Sequence, residues 1–263
     1  MDYKTISLTR DTSTGVAELR LCRPDKLNAL DDAMFIELQH GIRESAEDEG
    51  IRVLILSGEG RGFCAGADLS SSILASDSAG AVKLLREYHE NIVLPLRKMK
   101  KPVIGALNGV AVGGGLGIAL ACDIRIASDK FRMGVGFRNL GVASDFGNAY
   151  FLPRLIGTAR ALQLYFLGDL IGAEESLRLG LVNQVVPDGE LRGAAMEYAV
   201  KVAGGPALAM GLAKELVYLG SELGLEAILG AEAVYQSLCF STSDFQEGLA
   251  ATREKRPARF SMP

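Results

Sequence analysis

The chain has 263 residues, 48% of them hydrophobic, which suits one large domain or one domain with a small appendage. A net charge of −4 without a long run of like charges argues against nucleic acid and membrane surfaces as partners. Four cysteines without a CxxC pair and only two histidines argue against disulfides and a metal cluster, and the start MDYKTISLTRD lacks the order of an export signal, so a cytoplasmic location is expected.

Residues 4–10 and 15–21 alternate apolar and polar side chains around Asp11-Thr12-Ser13-Thr14, which predicts a hairpin ended by Arg23-Pro24. From Asp31 to Glu47, Met34, Phe35, Leu38 and Ile42 fall on one helical face behind an acidic start. VLILSG (53–58) predicts a buried strand, and GEGRGFCAGADL after it a long glycine-rich loop. The serine- and alanine-rich stretch 70–81 is expected to be mobile and able to gate a site. A helix follows over 80–99. The uncharged run 102–122 has three consecutive glycines, Gly113 to Gly115, which would weaken a membrane-spanning helix. It divides instead into a strand over 103–107, a glycine loop over 108–114 and a buried helix over 115–122, with another strand at 124–127. Such strand-loop-helix turns predict the α/β class. From Pro153 the pattern is helical over 159–167, 172–179, 190–203, 206–219 and 222–238, with only 182–186 extended. The expected division is a core over 1–195 and a helical region over 196–263 that packs on the core or on a neighbouring subunit.

Two glycine loops, GFCAGADL and NGVAVGGGLG, each follow a buried strand and leave backbone N–H groups unobstructed. One such loop alone reads as a tight turn. Together they can hold one oxygen, and two donors aimed at a developing negative charge suit a thioester enolate, each worth about 3 kcal/mol.

RPDKLNAL (23–30), GRGFCAGADL (60–69), KPVIGALNGVAVGGG (101–115), ACDIRIAS (121–128), LPRLIG (152–157), GLVNQVVP (180–187) and FQEGLAATREKR (245–256) together resemble the crotonase superfamily, the enoyl-CoA hydratase/isomerase family. The resemblance implies a spiral of ββα turns with a helical C-terminal trimerisation region, assembled as a homotrimer or a dimer of trimers. It also implies an acyl-CoA thioester substrate, with coenzyme A as part of the substrate and no separate cofactor. Its oxyanion amides carry over to Ala67 and Gly114. Its acyl-CoA contacts, largely backbone, carry over to Lys26, Ala29, Ala65, Gly66, Asp68 and Leu69, with Phe137 in the wall. Lys255, and Arg256 beside it, correspond to a tail that reaches the coenzyme A phosphates of an adjacent subunit. Thr252 replaces the phenylalanine of many relatives.

The departures from that pattern are chemical. The two glutamates with which the family's hydratases add water correspond to Gly117 and Phe137, neither of which can move a proton, so hydration is disfavoured. Asp145 stands where the resemblance places the functional aspartate of dienoyl-CoA isomerases, of the ring-epoxide isomerase of phenylacetate breakdown and of chlorobenzoyl-CoA dehalogenases. A carboxylate in an apolar wall has a raised pKa and can shuttle a proton; the competing reading is an N-cap of the following helix. His40 reads as solvated; His89, Glu87 and Glu90 lie on the 80–99 helix, which the resemblance places at the acyl pocket, and each is a candidate second acid or base, with a solvated helix face as the reading favoured. The function expected is acyl-CoA isomerisation, with hydratase-like or dehalogenase-like chemistry and acyl-CoA binding without turnover as the alternatives.

Overall fold

The computed structural model describes residues 1–260. In chain order, β1 (Ile6–Asp11), β2 (Val16–Leu21), α1 (Asp32–Glu47) and β3 (Val53–Gly58) open the fold. Next come β4 (Gly62–Cys64), α2 (Ser72–Ala75), α3 (Ser78–Tyr88), a π turn (His89–Val93) and α4 (Leu94–Lys98). β5 (Val103–Leu107), β6 (Val110–Val112) and α5 (Gly114–Ala121) lead to β7 (Ile124–Ser128), β8 (Arg132–Gly134), α6 (Phe137–Leu140), α7 (Asn148–Ile156) and α8 (Thr158–Leu167). β9 (Ile171–Gly172), α9 (Ala173–Arg178), β10 (Gln184–Val186), α10 (Leu191–Ala203), α11 (Ala207–Gly220), α12 (Leu225–Phe240) and α13 (Ser243–Glu254) complete it.

The six-stranded sheet runs β1-β2-β3-β5-β7-β10 and the four-stranded sheet β4-β6-β8-β9. β1 and β2 are antiparallel, while β2, β3, β5, β7 and β10 pair in parallel; so do β4, β6 and β8. β3/β4, β5/β6 and β7/β8 each give one strand to each sheet, and helices carry the chain to the next pair. This is the crotonase spiral. Parallel strands covered on both faces lose the polar alternation of a half-exposed strand, and β3 and β5 show why. Leu54, Leu56, Val103 and Leu107 join the main core with Phe35, Leu38 and Ile92, whereas Val53, Ile55, Ile104 and Ala106 face α10. α1 starts as its acidic N-terminus requires, with the Asp31 carboxylate accepting the Met34 N–H at 2.9 Å.

Both glycine loops contain a strand. β4 and β6 are apolar triplets, too short for a period of two to show. Residue 195, where the division is expected, lies within α10, whose Leu191, Ala195, Ala199 and Ala203 pack on the six-stranded sheet. His40 is half-buried, and its Nδ1 meets the Tyr3 hydroxyl at 2.7 Å. The stretch 70–81 holds α2 and the start of α3, and is tied to α1 where the Ser71 hydroxyl donates to Asp32 at 2.7 Å.

All four cysteines are free thiols. No helix among the described residues is long and apolar enough to cross a membrane. The described residues of α12 include none that is buried, and Leu225, Leu229, Val234 and Leu238 stand exposed along it.

Candidate active site

β4 pairs with β6 in parallel, Gly62 opposite Val110 and Cys64 opposite Ala111, so the segments that follow the two strands leave the sheet side by side. They touch backbone to backbone. A Cβ placed on Gly66 would lie 2.9 Å from the Val112 carbonyl oxygen and 3.7 Å from the Gly114 nitrogen, and one on Gly115 would overlap the Cys64 carbonyl. Gly66 also has φ +92°, a region closed to most side chains. Leu30 donates its N–H to Gly66 O at 2.8 Å and accepts from Asp68 N–H at 2.9 Å. In that parallel bridge the groups of the intervening residue, Ala67, point away from Leu30. Gly114 is the first residue of α5, where amides have no intrahelical acceptor and the helix dipole favours negative charge. Ala67 and Gly114 thus lie on two adjoining loops, one beyond the bridge to Leu30 and one at the start of α5.

The first glycine loop is stapled to residues 23–30. Arg23 donates to Asp68 at 2.9 Å, reaches Asp31 at 3.1 Å and also bonds the Ala29 carbonyl. Bonds from the Ser70 amide and hydroxyl, with the Arg23 guanidinium, hold the Asp68 carboxyl down at about 2. The buried Asn28 donates to Glu59 O at 3.0 Å and Gly62 O at 2.7 Å, and Ala65 N–H reaches Leu27 O at 3.0 Å. These bonds gather Lys26, Ala29, Ala65, Gly66, Asp68 and Leu69 into one region, with Lys26 and Leu69 exposed. Lys255, exposed at the C-terminal cap of α13, has no bond to that region among the described residues, and the neighbouring Arg256 is engaged by Glu247 and Glu254.

The wall beside Gly114 is built by residues 144–148. Asn148, fully buried, donates from Nδ2 to Gly113 O at 2.9 Å and to Asp145 O at 3.0 Å, which fixes the Asp145 backbone to the second glycine loop. Phe146 adopts φ +48° and lays its ring against Gly114, where a Cβ would come within 3.2 Å of it. Its N–H donates to His89 Nε2 at 3.2 Å, and the two rings meet edge to face at 5.4 Å. His89 is thus an acceptor at Nε2, and burial lowers its pKa, which favours the neutral ring over a solvated cation. Glu87 and Glu90 are exposed.

The Asp145 carboxylate does not cap α7. The N-cap is Gly147, with no side-chain cap bond. Asp145 Oδ1 is buried without a hydrogen-bond partner among the described residues, and burial pushes the carboxyl up to about 6. Nearby, Ser144 Oγ and Tyr165 OH lie 2.6 Å apart, and Tyr165 stacks on Phe137 at 6.4 Å. Phe137 is buried, close to Gly113. A Cβ on Gly117 would overlap the Phe146 carbonyl oxygen and sit 2.5 Å from the Phe146 Cβ, so this backbone has no room for a glutamate there. Phe146, Asn148 and Tyr165 escaped sequence reasoning. Only the charged member of SDFGN carried a recognisable chemical signal.

The sequence profile described as enoyl-CoA hydratase/isomerase matches residues 11–263. The 1,2-epoxyphenylacetyl-CoA isomerase of Escherichia coli (strain K12) is 37% identical over 94% of this chain and 95% of its own length. The crotonyl-CoA hydratase of Syntrophomonas wolfei is 34% identical over 99% of both chains. A crystal structure of enoyl-CoA hydratase from Bacillus anthracis superposes with a TM-score of 0.89 at 35% identity, covering 99% of this chain and 100% of that one.

Proposed function

The chain belongs to the enoyl-CoA hydratase/isomerase family of the crotonase superfamily, and within it we propose that it is an acyl-CoA isomerase. Its Ala67 and Gly114 amides donate to the thioester oxygen. Asp145 takes the acidic proton from the carbon beside the thioester, the electron pair moves onto the oxygen as an enolate, and the proton returns to another carbon of the conjugated system. A double bond shifts, or a strained ring rearranges, with no net gain or loss of atoms. No cofactor enters the reaction.

The observation that carries this reading is a buried carboxylate raised to about 6, with one oxygen unpartnered, on a segment bonded to the oxyanion loop. The positions matching the hydratase glutamates hold Gly117 and Phe137, which supports isomerisation over hydration. The coenzyme A moiety lies along Lys26, Ala29, Ala65, Gly66, Asp68 and Leu69, and Lys255 reaches it from a neighbouring subunit. The exposed apolar residues of α12 support a homotrimer or a dimer of trimers. We place the protein in the cytoplasm.

The test is a panel of 3-enoyl-, 2-enoyl-, dienoyl- and aryl-CoA thioesters followed by mass and ultraviolet spectra. Spectral change at constant mass supports isomerisation. A gain of one water means hydration, and binding without change in either readout means a non-catalytic acyl-CoA carrier.

A further inference from the structure

His89 and Gly147 line a cavity of about 560 Å³, within the range of small-molecule sites. Val93, Leu94, Met99, Phe151 and Leu219 supply its apolar lining, and the Arg97 guanidinium lies over the Tyr218 ring at 3.3 Å. His89 and Gly147 both flank Phe146. Phe146 itself is 2% exposed, with its ring on Gly114 and its backbone on Gly117. One pair of rings, Phe146 and His89, therefore stands between the oxyanion amide of Gly114 and the cavity.

We propose that the Phe146–His89 pair is a specificity-determining partition, which confines the protein to short acyl groups and closes off a cavity able to take the distal part of a longer chain. The proposal rests on the acyl-CoA reading of the site, and not on the role of Asp145. Phe146 is suited to this work because its position is over-determined. The His89 acceptor holds its amide, Phe35 packs 6.1 Å from its ring, and the ring lies against Gly114. Arg97, Lys98, Lys100, Lys214, Glu215 and Glu222 also line the cavity, but its apolar surface predominates, so the occupant is a hydrocarbon or aryl segment.

The experiment uses saturated thioesters, which bind without reacting, and the assembled protein as purified. Calorimetry measures butanoyl-, octanoyl- and dodecanoyl-CoA on the wild type, Phe146→Ala and His89→Ala. The wild type should bind octanoyl-CoA within about threefold of butanoyl-CoA. Opening the partition should raise the octanoyl preference at least tenfold, since each buried methylene is worth up to about fourfold. Adding Leu219→Trp, which fills the cavity, should remove that gain. His89→Ala keeps the test available if Phe146→Ala does not fold. An unchanged chain-length profile in the folded variants, a steep profile already present in the wild type, or a gain that survives Leu219→Trp would overturn the partition. Failure of every form to bind any thioester would overturn the acyl-CoA reading and the partition with it.

Discussion

Asp145→Asn replaces a carboxylate with an amide of the same shape, at a position where no helix cap depends on the side chain. What it removes is a proton equilibrium. Burial raises the Asp145 carboxyl to about 6 from an ordinary 3.8, so the folded chain binds this proton about two decades more tightly than the unfolded one. Each decade is worth about 1.4 kcal/mol, and the linkage has a definite sign. The contribution to stability is fully present below pH 4 and is lost as the pH rises through 6, reaching a loss of about 3 kcal/mol on the alkaline side. Asparagine has no such loss. Urea unfolding of both proteins at pH 4, 6 and 8, at one protein concentration because assembly adds to stability, should show Asp145→Asn gaining on the wild type by up to about 3 kcal/mol across the series. The wild-type kcat/KM should rise with pH to a plateau above an apparent pKa near 6, and the variant should lose about 10²-fold or more of its turnover at the plateau. A stability difference that does not change with pH refutes the burial argument. Full turnover in Asp145→Asn refutes the catalytic one.

Gly117→Glu should fail to create a hydratase, because the new side chain collides with the Phe146 backbone; a lower melting temperature with no crotonyl-CoA hydration is expected, and hydration would refute the steric argument. Asn148→Leu deletes two buried hydrogen bonds, to Gly113 and Asp145, and should cost about 1–3 kcal/mol in urea unfolding while lowering kcat more than it raises KM; wild-type stability with wild-type kcat would show that neither bond matters. Lys214→Met breaks the largely buried bridge to Asp123 at 2.8 Å, and the carboxylate left behind should cost about 3–5 kcal/mol, measured by the same titration. A change within error there would place the Lys214 charge in solvent.

How legible each part of the fold was in the sequence follows from the length of its pattern. α1 announced itself because four apolar residues and an acidic cap agreed over sixteen residues, and β3 and β5 because a short apolar run with glycine beyond it leaves few alternatives. β4 and β6 were hidden because three residues carry no period, and only their pairing in the four-stranded sheet makes them strands. The packing of α10 on the sheet was hard to read for a related reason. α10 has a buried stripe of alanines, a weak hydrophobic signal, and its membership in the core is decided by the sheet it covers.

The site divides along the same line. The two loops were accessible because close backbone approach demands glycine, and glycine is visible in a sequence; Ala67 and Gly114 within them came from the resemblance. Asp145 was accessible through the resemblance, which places a functional aspartate at this position in SDFGN. Phe146, Asn148 and His89 were not, since an aromatic ring, an amide and a helix-borne imidazole have bland roles in most folds, and these become wall, clamp and acceptor only through contacts between distant segments. Those contacts bear on the chemistry. Hydration must activate a water and deliver a proton to carbon, which calls for two groups in opposite protonation states; the space beside Gly117 that one of them would need is filled by Phe146. Isomerisation returns the proton it takes, so one group serves as base and then as acid. Such a group works best when neither form is strongly favoured near the working pH, and a carboxyl raised to about 6 by a dry wall meets that condition while an exposed one does not. The burial that costs the fold stability above pH 6 is therefore the same feature on which the proposed proton transfer by Asp145 depends.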